Sequence, residues 1–192
     1  VSDENSCVVQ KSFTVVEEAG PSAVAVVPKA TTCGNSNGEL TVSGVTGGTA
    51  PYSYSLDGTT FQTSANFTNL AAGNYTITVK DANGCTYAEE VTLQNIAGPS
   101  DFTAAIQSST CGNNNGSISI AAVANGTAPF TYSIDGANFQ AAASFSALAA
   151  ETYSVTVQDA NGCQFTKSVI ITNIAGPTDF SWNTGPSTCG AG

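Results

Sequence analysis

The chain has 192 residues, a formal net charge of −10, four lysines and neither arginine, histidine nor methionine; charged residues make up 9 % of it. An acidic surface without arginine excludes electrostatic capture of nucleic acid or of an anionic membrane. The lack of histidine removes the usual neutral-pH base from any Ser- or Cys-based catalytic pair, so no enzyme is expected.

Taken in chain order, the elements are short strands. Val24 and Val26 open a first strand that Pro28 interrupts, as an edge strand tolerates. The turn cluster Cys33-Gly34-Asn35-Ser36-Asn37-Gly38 precedes the alternation of Leu40, Val42 and Val45. Gly47-Gly48-Thr49-Ala50-Pro51 breaks the chain again. Tyr52, Tyr54 and Leu56 then alternate with Ser53 and Ser55 up to the hairpin signal Asp57-Gly58. Phe61 leads a short strand, and Phe67 and Leu70 mark another. Tyr75, Ile77 and Val79 alternate with Thr76 and Thr78, Asn83-Gly84 turns the chain, and Tyr87, Val91 and Leu93 close the unit. Seven short strands with turn signals every 8–12 residues and no helix predict an immunoglobulin- or fibronectin-III-like β-sandwich, an all-β fold.

The same pattern recurs at an offset of 78 residues. Cys7, Cys85 and Cys163 share one position of the repeat, Cys33, Cys111 and Cys189 another, and Gly20-Pro21, Gly98-Pro99 and Gly176-Pro177 a third. The expected organisation is therefore the C-terminal part of a preceding repeat (1–20), complete repeats at 21–98 and 99–176, and the N-terminal part of a following repeat (177–192). Tandem units that meet through the short Ile-Ala-Gly-Pro junctions at 96–99 and 174–177, without a Gly/Ser tract, are expected to hold a preferred orientation. No stretch approaches the length of a transmembrane helix, so no direct membrane insertion is expected.

Six cysteines in phase, without a CxxC pair, point to disulfides and an oxidising, extracellular compartment. Two pairings stay open. Within a repeat, Cys33 would join Cys85 and Cys111 would join Cys163. In a seven-stranded sandwich, however, these positions lie at opposite poles, separated by a strand of roughly 20–25 Å, whereas a disulfide needs Cα atoms within about 7 Å. Pairing across repeats would bring Cys33 to Cys163 instead. Cys7 and Cys189 would pair outside the chain in either scheme.

Leu70-Ala71-Ala72-Gly73-Asn74-Tyr75 has the spacing of a tyrosine corner, and Tyr153 repeats Tyr75. Glu151 stands where the first copy has Gly73, which would strain the backbone if the position required positive φ. Asp57, Asp81, Asp135 and Asp159 fall in predicted hairpins, where Asp serves the turn. Asp81 and Asn83, repeated as Asp159 and Asn161, also offer the hard oxygens that calcium takes. With one carboxylate per turn, that binding is expected to be weak or absent, and no other cofactor is expected.

Five motifs in order, Thr-Cys-Gly-Asn-x-Asn-Gly at 32–38, Gly-Gly-Thr-Ala-Pro-Tyr at 47–52, Tyr-Ser-Leu-Asp-Gly at 54–58, Leu-x-x-Gly-x-Tyr at 70–75 and Asp-Ala-Asn-Gly-Cys at 81–85, resemble the SprB-type repeat. They recur at 110–116, 126–130, 132–136, 148–153 and 159–163, with Asn125, Phe130 and Glu151 as departures. The resemblance implies the giant surface adhesins of Bacteroidetes, some used in gliding motility: type IX secretion, display on the outer cell surface, and a filament shaft, stalk or adhesin. Its expected partners are neighbouring repeats of the same polypeptide or filament, and surface polysaccharide. The alternative is an extracellular module that binds carbohydrate or calcium through its Gly-Asn and Asp-Gly loops.

Overall fold

The computed structural model describes residues 4–5, 8, 10–14, 18–182 and 185; Cys7 and Cys189 lie outside the described residues. The strands are β1 (Pro21–Lys29), β2 (Thr31–Thr32), β3 (Gly38–Gly47), β4 (Ser53–Ser55), β5 (Asn66–Leu70), β6 (Gly73–Lys80) and β7 (Thr86–Leu93). They continue with β8 (Asn95–Ile96), β9 (Pro99–Gln107), β10 (Ser109–Thr110), β11 (Gly116–Asn125), β12 (Thr131–Ser133), β13 (Ser144–Leu148), β14 (Thr152–Gln158), β15 (Gln164–Ile170) and β16 (Asn173–Ile174). No helix occurs among the described residues, as the period-2 alternation predicts. The chain divides into two compact units. One comprises residues up to Thr31 with Asn35–Gln94; the other comprises Thr32–Gly34 with the residues from Asn95 onward.

The first unit has two three-stranded antiparallel sheets, β1-β3-β5 and β4-β6-β7. Its core is Leu40, Val42, Ile77, Val79 and Leu93, with Tyr52, Tyr54, Leu56, Phe67, Leu70, Tyr75 and Val91 packed around it. These are the apolar members of the predicted alternations. Two differences have local causes. First, β1 runs through Pro28 without a break, paired opposite Leu40. Because β1 is the edge of its sheet, half of its N–H groups point away from β3, and a proline need not remove a ladder bond. Second, Val42 and Val45 both reach the core although they stand three positions apart, an odd interval for a period of two. The register shifts from Ala25↔Gly44 to Val26↔Val42, leaving Ser43 as the extra residue of a bulge that restores the inward phase. Phe61 leads no strand. Gln62 makes an isolated bridge to Tyr54, and the Phe61 ring lies under the Lys80 ammonium at 4.0 Å.

The second unit repeats this plan with sheets β9-β11-β13 and β12-β14-β15, and with the bulge at Ala121 between Ile120↔Ala104 and Ala122↔Thr103. Its core is larger: Phe102, Ile118, Ile120, Leu148, Val155, Val157, Val169 and Ile171 are all buried. Phe102 stands edge-on to Phe165 at 6.2 Å between centroids. A small parallel pair, β10 with β16, adds strand ends that a seven-strand reading does not contain. Each core is small, and at about 1.5–3 kcal/mol per buried aliphatic side chain it leaves room for a covalent contribution.

Candidate functional site

The chemistry-bearing residues of this chain are its cysteines, and Cys33 is bonded to Cys163, 130 residues away in sequence, with Cα atoms 5.2 Å apart. Of the two pairings open to the sequence, the structure therefore has the one that joins consecutive copies of the repeat. The within-repeat pairs Cys33–Cys85 and Cys111–Cys163 are not formed. Cys85 and Cys111, expected in disulfides, carry free thiols, partly buried and exposed respectively. The physical reason is the polar separation of the two cysteine positions in a sandwich: Cys33 follows β2 and Cys85 lies in the hairpin between β6 and β7.

Both halves of the bond are built by specific local structure, and both belong to the second unit. On the Cys33 side, Cys33 and Gly34 take the left-handed region at φ 58° and 70°. The Cys33 N–H donates to the Ile96 carbonyl at 3.2 Å and the Gly34 N–H to Asn95 Oδ1 at 3.0 Å. A non-glycine residue at positive φ is uncommon and costs of order 1–2 kcal/mol. Here the two N–H bonds hold it, and the turn faces Cys33 toward its partner.

On the Cys163 side the organiser is Asp159, which is buried at 5 % exposure. Its Oδ1 accepts the N–H of Asn161 and of Cys163, each at 2.9 Å, and its Oδ2 accepts the Thr127 N–H at 3.0 Å. One carboxylate thus ties the β14–β15 hairpin to the loop before β12 and fixes the cysteine backbone. Gly98 lies directly over Cys163, and a Cβ at that position would overlap the Cys163 Cβ. The glycine of the repeated Gly-Pro is thereby explained by close approach, while Pro99 opens β9.

The two free thiols sit in the same cradles. Cys111 and Gly112 take φ 54° and 73°, the Cys111 N–H donates to Ile174 at 2.9 Å, and the Gly112 N–H donates to Asn173 Oδ1 at 2.9 Å. A Cβ on Gly176 would come within 3.0 Å of the Cys111 sulfur. Around Cys85, Asp81 Oδ1 accepts the N–H of Asn83 at 3.0 Å and of Cys85 at 2.9 Å, Oδ2 accepts that of Thr49 at 3.1 Å, and Gly20 takes the place of Gly98. Burial works to raise the Asp81 pKa, but the N–H groups of Thr49, Cys85, Asn83 and Gly84 together hold it below the ordinary carboxylate value. Sequence reading placed these aspartates in hairpins but missed their role as hubs; the signal was their constant spacing of four from each hairpin cysteine.

The remaining sequence-predicted positions are placed as follows. Tyr75 donates its hydroxyl to the Ala71 carbonyl at 2.9 Å and Tyr153 donates to Ala149 at 3.2 Å, the contact a tyrosine corner makes. Glu151 is not among the residues at positive φ, so the strain expected from replacing Gly73 is absent; the second copy turns differently there, while Gly73 has φ 158°. Asn83 Nδ2 donates to Glu18 and to Thr49 Oγ1, and Asn161 Nδ2 donates to Thr127 Oγ1. At the calcium-type positions the carboxylate oxygens thus meet N–H donors, and among the described residues no three acidic, His or Cys side chains gather as a metal cluster. Asp57 and Asp135 close Asx turns: the N–H groups of Thr60 and Thr59, and of Asn138 and Ala137, converge on one carboxylate oxygen. These bonds hold both acids well below the usual carboxylate range.

Two copies of a β-sandwich, each organised around a buried aspartate beside a cysteine, define a tandem β-sandwich repeat. The family model of the SprB repeat matches the chain at two places, 26–61 and 103–139, one in each copy. Both matches fall on the motifs that resemble the SprB repeat, a structural repeat found in cell-surface proteins. No curated protein matches it. Among solved structures, the chain is similar to one of a mouse coronavirus receptor-binding domain complexed with its murine receptor, at 9 % identity and a TM-score of 0.36, covering 79 % of this chain and 100 % of that one. It is also similar to murine CEACAM1b, at 12 % identity and a TM-score of 0.35, covering 82 % and 100 %.

Proposed function

We propose that the chain is a structural and adhesive array of a secreted bacterial cell-surface protein: a filament shaft, stalk or adhesin in which the repeats supply length and stiffness. The observation that carries this reading is the Cys33–Cys163 disulfide, which joins the sequence of one repeat to the next instead of closing either repeat on itself. An enzyme or a small-ligand receptor gains nothing specific from such a bond, whereas a tether under load does. The family match supports the surface location, and the low charge with its net negative sign keeps a long array soluble. Secretion by the type IX route in a gliding member of the Bacteroidetes follows from the same resemblance.

The test is immunogold labelling of intact cells of the source with antibody against the two repeats. Gold along fibres that project from the outer surface is expected, and surface protease should remove it. Labelling that needs lysed cells would overturn the reading.

A further inference from the structure

We infer that Cys33–Cys163 is one link of a repeating set of straps, and that the straps cap how far force can lengthen the array. The first part rests on the two free thiols. Cys111 occupies the cradle of Cys33, with the same left-handed φ and the same pair of N–H bonds to a β-strand carbonyl and an Asn side chain. Cys85 occupies the cradle of Cys163, with the same aspartate bond and the same glycine above it. Each free thiol is therefore one half of a bond whose other half the chain itself displays. The partner of Cys111 is a cysteine at the Cys163 position of the following repeat; that of Cys85 is one at the Cys33 position of the repeat before the first. Each strap forms when two thiols give two protons and two electrons to a disulfide oxidant, which leaves as a dithiol.

The second part is covalent topology. A pull on the two ends of this chain enters the strap at Cys33 and leaves it at Cys163, so the 130 residues between them carry no net load. From Cys163 the chain runs only 26 residues to Cys189, which stands at the Cys33 position and begins the next strap; Cys85 to Cys111 is the same interval. Along a strapped array, force thus passes through one disulfide and one 26-residue segment for every two repeats. The Cys85–Cys111 segment is β7, β8, β9 and β10 almost throughout, and each of these strands is extended along its own length. Two repeats then cannot exceed about 90 Å, against about 530 Å for the same residues without straps. Because successive straps overlap, a single backbone cut anywhere in the array leaves it covalently continuous.

This inference rests on the array reading but is tested apart from it. Single-molecule stretching of the purified chain, held at its termini, should reach a full length about 450 Å shorter when oxidised than after reduction. The variant Cys33→Ser should give the long value without reductant, a readout that does not depend on whether the variant folds. Non-reducing peptide mapping of the native protein should recover Cys111 linked to a Gly-Cys hairpin peptide of the Cys163 type. Equal lengths in both redox states, or native Cys111 recovered free or bound to Cys85 of the preceding repeat in the same chain, would overturn the straps. Failed surface labelling would leave these results standing and would sink only the surface assignment.

Discussion

The two copies of the repeat place the same cysteine in the same structure and differ in its chemistry. Cys163 is bonded and 3 % exposed, while Cys85 is a partly buried free thiol. Yet the Asp81 and Asp159 carboxylates hold the two backbones with bonds of 2.9 Å, and Gly20 and Gly98 cover the two side chains alike. The cradle is therefore a property of the repeat, and the bond is a property of having a neighbour. Elsewhere the copies differ in ordinary ways. The second has the larger core and the exposed Lys167–Asp101 ion pair at 2.9 Å, which is worth about 0–1 kcal/mol at its half-exposed position.

The largest expected effect breaks that contrast at the bond itself. Closing a loop of 130 residues removes chain entropy from the unfolded state equivalent to about 5 kcal/mol in the loop-entropy treatment. Reduction, or Cys33→Ser, should lower the urea midpoint followed by far-UV circular dichroism by a corresponding amount. Cys85→Ser should leave it unchanged, because that thiol closes no loop in this chain. A melt insensitive to reductant would show that the link contributes no stability.

Next in size is the aspartate hub. Asp159→Ala leaves three backbone N–H groups, those of Asn161, Cys163 and Thr127, without their acceptor in a partly buried turn, a loss of about 2–4 kcal/mol. Asp159→Asn retains one acceptor oxygen and should lose less. If the cradle is a property of the repeat, Asp81→Ala should cost the first unit a similar amount, read as a separate early transition; a silent Asp81→Ala would break the equivalence of the two copies. Adding millimolar calcium should move neither transition, since these oxygens already accept N–H groups.

Acid should act on both copies together. The Asx-turn carboxylates of Asp57 and Asp135 are held below their ordinary value of 3.8, chiefly by the N–H groups of Thr60 and Asn138. An acid with a folded-state pKa below its unfolded one contributes stability above the unfolded value and loses it as pH falls toward the folded one. The melting temperature should therefore be level from pH 7 to about 5 and decline below about 4. A decline already complete at pH 5 would point to another group. In Asp57→Asn plus Asp135→Asn the acid slope should flatten.

Much of this arrangement is legible in the sequence because the repeat makes its own alignment. The alternations at Leu40–Val42 and Tyr75–Val79 locate the core, the Leu-to-Tyr spacing locates the corner hydroxyl, and the pole argument admits the cross-repeat bond. What escapes has physical causes. A bulge at Ser43 is invisible to a period-2 template, which only registers a lost phase. An edge strand hides a proline such as Pro28 because its missing donor has no partner to miss. Gly98 looks like half of a Gly-Pro turn until the Cys163 side chain is placed against it. Glu151 looks strained only on the assumption that both copies turn alike, and they do not.

The smallest effect tests where the copies do share a strained backbone. Asn69 and Ala147 occupy matching positions near the ends of β5 and β13, both in the left-handed region at φ 58° and 57°. Asparagine tolerates that region because its short polar side chain bonds locally; alanine has no such help. The second copy therefore holds an avoidable strain. Ala147→Asn should stabilise it by about 0.5–1 kcal/mol, and Asn69→Ala should weaken the first by the same order. The two substitutions amount to an exchange between copies, so opposite signs of similar size are the expected result in paired denaturation curves. If Ala147→Asn gains nothing while Ala147→Gly stabilises, backbone freedom is what the position lacks, and the asparagine of the first copy then owes its place to the hydrogen bond it makes with Thr68.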